Sequence, residues 1–493
     1  MKLHCIPILS ALFTSLVCFS NPATKISDNS PSSGIVIRWN DCEQTIDGFG
    51  IAQAGWAKEL FAFKNRKQVM DKMFGNDGLR LNILRGEIFP HYWENKEDKD
   101  FNLNDDINIE LCDSDFNNKS DDLLRRGQLW LTLEAKNKYH INKLVFSTWS
   151  APAWMKSNGK VSNGKLKPEC YYQDFANYLA AFYKAYKSKG ITPYAISPSN
   201  EPGYAAPWNS SLWTADEMGK FITSNLGPTF QKENIPAKII FGENPLWSVV
   251  MPQLKMVSSK DFTDTILQDY PEIKKFNLIA AGHGYSLSPD IMPIKVDKEY
   301  LKTPIIPFDA AEKAHIPVWI TEISDVTPLD TSIQDGLKWA VTFHNYLTKA
   351  NVNAIIWWGG AMPTSNNESL IILNKNRKDY TLSKRYDILG NYSRYISEGS
   401  TRIQVTQPKN KDLLVSAYKK NDKYILVAIN LSEKTISTNI RLDGANIKGA
   451  LKQFITNKDN RWNKTNIVPV SNKYYNLTIP QFSIVTLVGK VHL

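Results

Sequence analysis

From residue 44 onward the chain alternates between short apolar runs and longer stretches whose apolar residues recur at helical spacing. The runs begin near Gln44, Leu79, Lys143, Tyr194, Ala237, Leu278, Pro317 and Ala354. They are continuously apolar, as strands buried on both faces are. Amphipathic stretches separate them. The clearest runs from about Gln173 to Lys189 and carries Phe175, Tyr178, Leu179, Phe182, Tyr183 and Tyr186 on one helical face. Other helices are expected around 56–74, 121–139, 214–226, 249–257, 261–270, 308–314 and 334–350. Eight strands alternating with helices predict an α/β fold, a parallel (β/α)8 TIM barrel over 44–395. A doubly wound open sheet would alternate too. No GxGxxG opens a helix after the first strand, so a dinucleotide fold lacks its fingerprint.

The period changes after about residue 396. Short alternating strands follow at 413–418, 423–430, 438–442, 451–455, 476–479 and 483–488, with turns rich in Asn, Lys and Gly. They predict a fused antiparallel β-sandwich side domain. The strand Ile35–Trp39 has no place in the barrel and is assigned to it, giving 35–43 plus 396–490. Residues 21–34 read as a flexible lead-in and 86–120 as a long polar loop.

Composition changes this picture little. The 493 residues, 42% apolar and 22% charged, suit two globular domains. The 14 Trp and 21 Tyr could line a sugar-binding face or fill cores. Five cysteines are present, and Cys5 and Cys18 fall in the leader; Cys42, Cys112 and Cys170 are too few and too widely spaced for a disulfide framework or a zinc site. No metal or organic cofactor is expected. The net charge of +10 comes mostly from dispersed Lys, which reads as solvated surface with mild attraction for acidic polysaccharide. No basic tract interleaves with aromatics, which argues against nucleic acid.

Residues 1–22 read as a signal peptide: Lys2, an apolar stretch from Ile6 to Phe19, then small residues. The stretch is too short to span a membrane. Cys18 sits where a lipoprotein cysteine would, although Val17 before it is bulkier than the usual small residue. The expected product is an exported, monomeric, periplasmic or secreted protein.

Ligands bind where barrel strands end, so the polar and aromatic residues at those ends are the candidate site. The fourth strand ends at Asn200-Glu201 and the seventh at Glu322. The second ends at Arg85, the third at Trp149, the sixth at His283 and Tyr285, and the eighth at Trp357-Trp358. An isolated strand-end charge is usually structural. Two carboxylates, an arginine, an amide and an aromatic wall meeting at one mouth form a constellation for glycosidic bond cleavage. One carboxyl protonates the leaving oxygen, and the other attacks the anomeric carbon or activates water. An arginine would keep one carboxylate ionised while the other is held protonated.

The order of these elements resembles the family-30 glycoside hydrolases, retaining (β/α)8 enzymes. The matching segments are QTIDGFG (44–50), STWSAPAW (147–154), YAISPSNEPGY (194–204), HGY (283–285), WITEIS (319–324) and Trp357-Trp358. TLSKR (381–385), VSAYK (415–419) and ILVAIN (425–430) look like its xylanase branch. The resemblance implies Glu201 as general acid/base and Glu322 as nucleophile. Asn200, Arg85, Trp149, Tyr285 and Trp358 would line the cleavage subsite, with Trp56 and Tyr204 at the mouth.

One departure matters. Glucuronoxylan-specific members resemble one another in an arginine pair just after the eighth-strand tryptophans. Gly359-Gly360-Ala361-Met362 stands there, and no arginine follows until Arg377. The resemblance therefore implies a polysaccharide substrate, first an internal β-1,4-xylan bond, and alternatively glucuronoxylan, a β-1,6-galactan or β-1,6-glucan, or exo action. A non-catalytic carbohydrate-binding protein is the reading from another class; retention of both glutamates argues against it.

Overall fold

The computed structural model describes residues 34–92, 127–248, 257–285, 305–406 and 408–492. The leader, Cys18, Cys112, most of the expected helix at 249–257 and most of the 86–120 loop lie outside them. Cys42 is a free, exposed thiol. Among the described residues no helix is long and apolar enough to cross a membrane.

Eight parallel strands close a barrel: β2 (Gly48–Ala52), β3 (Ile83–Ile88), β4 (Lys143–Thr148), β5 (Ala195–Ser197), β6 (Lys238–Gly242), β7 (Leu278–His283), β8 (Val318–Glu322) and β9 (Ala354–Trp358). Gly48 pairs with Ala354 to complete the ring. Alternation along each strand divides inside from outside. Ile83, Val145, Ala195, Ile240, Ile279, Ala281, Trp319, Ala354 and Ile356 face inward as one cluster. Leu84, Phe146, Ile196, Phe241, Ala280, Ile320 and Ile355 face the surrounding helices. Trp319 fills space that the small alanines leave. Its ring stacks on Tyr194 at 6.0 Å and its Nε1 donates to Asp47 Oδ2 at 2.7 Å. The barrel interior is thus a packed core, and only its mouth is available for chemistry.

Two strand limits differ from the sequence expectation. The first apolar run does not open the barrel at Gln44. Strand β1 (Ile35–Ile46) continues through it, because Thr45 and Ile46 pair with Thr401 and Ser400. The chain turns at Asp47, whose N–H donates to Asn353 O. The second barrel strand starts at Ile83 instead of Leu79, which places Arg85 inside the strand. Leu79 and Leu81 instead hydrogen-bond back to Lys72 and Met73 of the preceding helix.

Short strands β10 (Ala361–Met362), β11 (Ile371–Leu373) and β12 (Tyr380–Leu382) extend the chain beyond β9. The remaining strands are β13 (Ser400–Val405), β14 (Leu413–Lys420), β15 (Lys423–Asn430), β16 (Ile436–Asp443), β17 (Asn446–Thr456), β18 (Asn463–Ile467), β19 (Tyr474–Ile479) and β20 (Ser483–His492). With β1 they form a nine-stranded sheet, antiparallel except where β1 runs parallel to β16. The sheet folds over its own core, so Tyr424 of β15 meets Tyr475 of β19 hydroxyl to hydroxyl at 2.7 Å. Strand β15 is apolar on both faces for a structural reason. Tyr424, Leu426 and Ala428 point into that core, whereas Ile425, Val427 and Ile429 pack against the barrel. Asn391 of the helix Lys384–Ser393 seals the join, exchanging hydrogen bonds with Thr486.

Candidate active site

Backbone irregularities at three strand ends deliver the charged groups. Val318 and Ile320 of β8 face outward, so strict alternation would turn Glu322 outward as well. The register with β7 shifts between Gly282 and His283, leaving Thr321 unpaired and His283 opposite Glu322. That bulge reverses the parity and turns Glu322 into the mouth. At the end of β5, Glu201 adopts a left-handed backbone with φ 47°, and its N–H donates to Glu243 O at 3.1 Å. Glu243, after β6, repeats the conformation with φ 48°. Gly242 makes this possible: its φ is +105°, and a Cβ there would stand 2.2 Å from Ala281 O. Two adjacent buried glutamates in a sparsely populated backbone region mark stored strain of the kind found at functional sites.

Arg85 joins these ends. It is fully buried on β3, with Nη1 donating to Glu322 Oε2 at 2.9 Å. Nη2 donates to Asn200 Oδ1 at 2.7 Å and Glu243 Oε1 at 3.2 Å, and Nε to Ser147 Oγ at 3.2 Å. Ser147 in turn donates to Glu243 Oε2 at 3.1 Å. The guanidinium also lies over the Trp149 ring, 4.7 Å from its centroid. Trp149 and Trp358 meet at 5.8 Å and form an aromatic wall beside the charges.

The two carboxyl groups differ in surroundings although both are buried, Glu201 being 8% exposed and Glu322 6%. Glu322 has Arg85 on one oxygen and the Tyr285 hydroxyl on the other at 2.7 Å. Burial raises its pKa, and His283, Arg85 and the Tyr285 hydrogen bond oppose the rise. Glu201 has no direct ion pair with Arg85. Burial raises it to about 7; the more distant Arg85 opposes this and Glu243 adds to it. His283 Nδ1 lies 3.1 Å from Glu201 Oε1 and 3.8 Å from Glu322 Oε1. Burial lowers the imidazole below its usual range, so the ring is neutral near pH 7. Its Nε2 is buried with no hydrogen-bond partner. A bare lone pair there costs less than an orphaned N–H, which places the ring proton on Nδ1, facing Glu201.

Ligating atoms of Glu201, His283 and Glu322 lie within 4.8 Å of one another, the only such group among the described residues. The set does not fit a resident cation well. Arg85 already supplies positive charge to Glu322, and a second cation beside it would be repelled. A tight carboxyl pair in unlike surroundings, one carboxyl held by Arg85 and Tyr285 and the other beside a neutral imidazole, instead suits proton transfer beside a charge-paired carboxylate.

Of the sequence candidates, Glu201, Glu322, Asn200, Arg85, Trp149, Tyr285 and Trp358 converge. Trp357 does not: it is fully buried, with Nε1 donating to Glu368 O. Trp56 ends a short 3-10 turn after β2, half-buried, without a ring contact to the carboxylate cluster. Tyr204 N–H donates to Glu201 O, and its ring meets Trp208 edge-on at 6.1 Å. Glu243 and Ser147 are site residues that the strand-end reading passed over. The signal for Glu243 was present: an apolar strand ending in Gly-Glu-Asn-Pro, much as β5 ends in Asn-Glu-Pro.

The family model for O-glycosyl hydrolase family 30 matches residues 32–372. Glucuronoxylanase XynC of Bacillus subtilis is 26% identical over 368 residues, 72% of this chain and 76% of that protein. An endo-1,6-beta-D-glucanase of Neurospora crassa is 29% identical over 238 residues, 45% of each chain. In fold, the chain is similar to the family 30 subfamily 8 xylanase of Clostridium acetobutylicum, with TM-score 0.71 and 23% identity over 93% of this chain and all of that one.

Proposed function

The chain belongs to O-glycosyl hydrolase family 30 and is a glycoside hydrolase; from that premise we propose that it cleaves internal β-1,4-xylosidic bonds of xylan with retention of configuration. The carrying observation is the asymmetry of the carboxyl pair. Glu322 is paired with Arg85 and Tyr285, while Glu201 is held near pH 7 without a direct cation.

In this reading Glu201 donates its proton to the glycosidic oxygen as the C–O bond breaks. Glu322 Oε attacks the anomeric carbon, forming a glycosyl-enzyme ester. Water then adds at that carbon with Glu201 accepting its proton, and Glu322 leaves as carboxylate. Oxygen atoms of the two groups within 4.8 Å support direct attack, since an inverting pair leaves room for a water. The Nδ1–H of His283 holds Glu201 Oε1, which leaves Oε2 to carry the proton. Arg85 orients Asn200 through Oδ1, and Asn200 Nδ2 remains the group suited to a sugar hydroxyl. Trp149 and Trp358 supply faces for the ring. Export of the chain, expected from residues 1–22, suits a polymer that does not enter cells.

A second reading is the same chemistry on β-1,6-glucan. It draws support from the Neurospora relative and from the chain after β9. Gly359 has φ 81°, Met362 is buried, and no guanidinium is available there for a glucuronate. Arg377 lies in the turn before β12, where its carbonyl accepts from Lys64 N–H. Product chromatography on linear xylan, glucuronoxylan, β-1,6-galactan and β-1,6-glucan tests both readings. Mixed-length products from linear xylan are expected. Digestion of β-1,6-glucan with no reducing ends from xylan would replace the first reading with the second.

A further inference from the structure

Trp208 is half exposed, at 50%, in the loop between Glu201 and the helix Ala215–Phe221. Its ring offers a flat apolar face on which a sugar ring can stack. The ring stands at a surface depression of about 400 Å³ lined by Val161, Ser162, Pro207, Trp208 and Asn209. That lining combines apolar faces with hydroxyl and amide groups, the mixture that a pyranose presents in return.

The depression is built on a rigid base. Lys156 is fully buried beneath it, and its ammonium donates to Ser150 Oγ at 3.0 Å, to Val161 O at 3.1 Å and to Ser210 O. Ser210 N–H donates to Val161 O at 3.0 Å, and Asn163 N–H to Ser210 Oγ at 2.8 Å. One lysine thus ties the loop after β4 to the loop after β5. The second loop is tied in turn to the proton-donor corner. Trp213 N–H donates to Pro202 O at 2.9 Å, Tyr204 N–H donates to Glu201 O at 2.9 Å, and Tyr204 packs on Trp208.

We infer that Trp208 and its depression form a distal subsite that stacks one pyranose of the substrate polysaccharide, away from the bond being cut. The inference rests on the glycosidase reading for its ligand class. One loop carries both Glu201 and Trp208, and Tyr204 links them, so a polymer leaving the mouth over Tyr204 meets the indole. The platform extends the reach of the cleft and favours long chains over short ones.

Affinity electrophoresis of the full chain tests this, with native gels containing soluble xylan or β-1,6-glucan. The Glu322→Gln background prevents digestion of the gel. Retardation by a glycan is expected, with Trp208→Ala in that background weakening it about five- to tenfold and Trp208→Phe weakening it less. Equal retardation with and without Trp208, or none by either glycan, would overturn the inference. With active protein, Trp208→Ala should lower kcat/KM more on a hexasaccharide than on a trisaccharide; an equal loss on both counts against a distal subsite. Retardation by xylan that the unmodified chain does not hydrolyse would instead count against the xylan reading and leave the platform standing.

Discussion

Glu201→Gln should stabilise the protein, and only above a defined pH. Burial lifts the Glu201 carboxyl from its ordinary 4.5 to about 7, so the folded chain binds this proton more tightly than the unfolded chain does. A raised carboxyl contributes fully below its unfolded value, and that contribution is lost as pH rises to the folded value. The difference corresponds to about 3 kcal/mol. Gln keeps the shape and can still accept from His283 Nδ1, but it never pays for a buried charge. The two proteins should therefore melt together near pH 4.5, and the Gln variant should gain steadily to pH 7 and stay level above it. For a chain of this size the plateau is about 3 °C in Tm. Thermal unfolding followed by circular dichroism from pH 4.5 to 8.5 reads this directly. A pH-independent offset would show that Glu201 is not the titrating group. A wild type that gains on the variant as pH rises would show a carboxylate stabilised by Arg85 and refute a proton held by burial.

Glu243→Gln removes one of the two carboxylates that balance the buried Arg85, and should cost about 2–4 kcal/mol of stability. It should also lower kcat by about 10²-fold through loss of Arg85 geometry. Because the Glu243 charge helps to raise Glu201, the alkaline limb of the kcat/KM profile, expected near pH 7, should move to lower pH; an unmoved limb would contradict that coupling. Tyr285→Phe removes the hydroxyl that donates to Glu322 Oε1 at 2.7 Å and opposes the rise in its pKa. The acid limb should therefore move to higher pH, and a shift to lower pH would contradict the assigned bond.

Much of this site could be read from strand ends because a buried parallel strand is apolar until it must present chemistry. Glu201, Glu322 and Trp358 each stand where an apolar run stops. Arg85 was found for a different reason than position: it looked terminal because it is charged, yet it lies within β3, its charge matched by Glu243 and Glu322 from β6 and β8. Such long-range compensation has no local signature. Glu243 has a local signal, the Gly-Glu-Asn-Pro at the end of β6, but its pairing with Arg85, 158 residues away, has none. The bulge at Thr321 was also invisible, because Val-Trp-Ile-Thr-Glu reads as a regular strand and the parity change exists only in its pairing with β7. The extension of β1 through Gln44–Ile46 was hidden similarly. The polar residues Asn40–Gln44 look like a turn, yet the strand crosses them with irregular register against β13.

In the proposed mechanism Glu322 forms the bond to the sugar while Glu201 moves the proton. Glu322→Ala should lower kcat by several orders of magnitude, and millimolar azide should restore turnover on a nitrophenyl β-glycoside of the preferred sugar. Proton NMR should identify the product as the α-glycosyl azide, inverted because azide enters the space that the carboxylate left. Near-normal activity of Glu322→Ala without azide, or an α-azide formed by the Glu201→Ala variant instead, would contradict this mechanism.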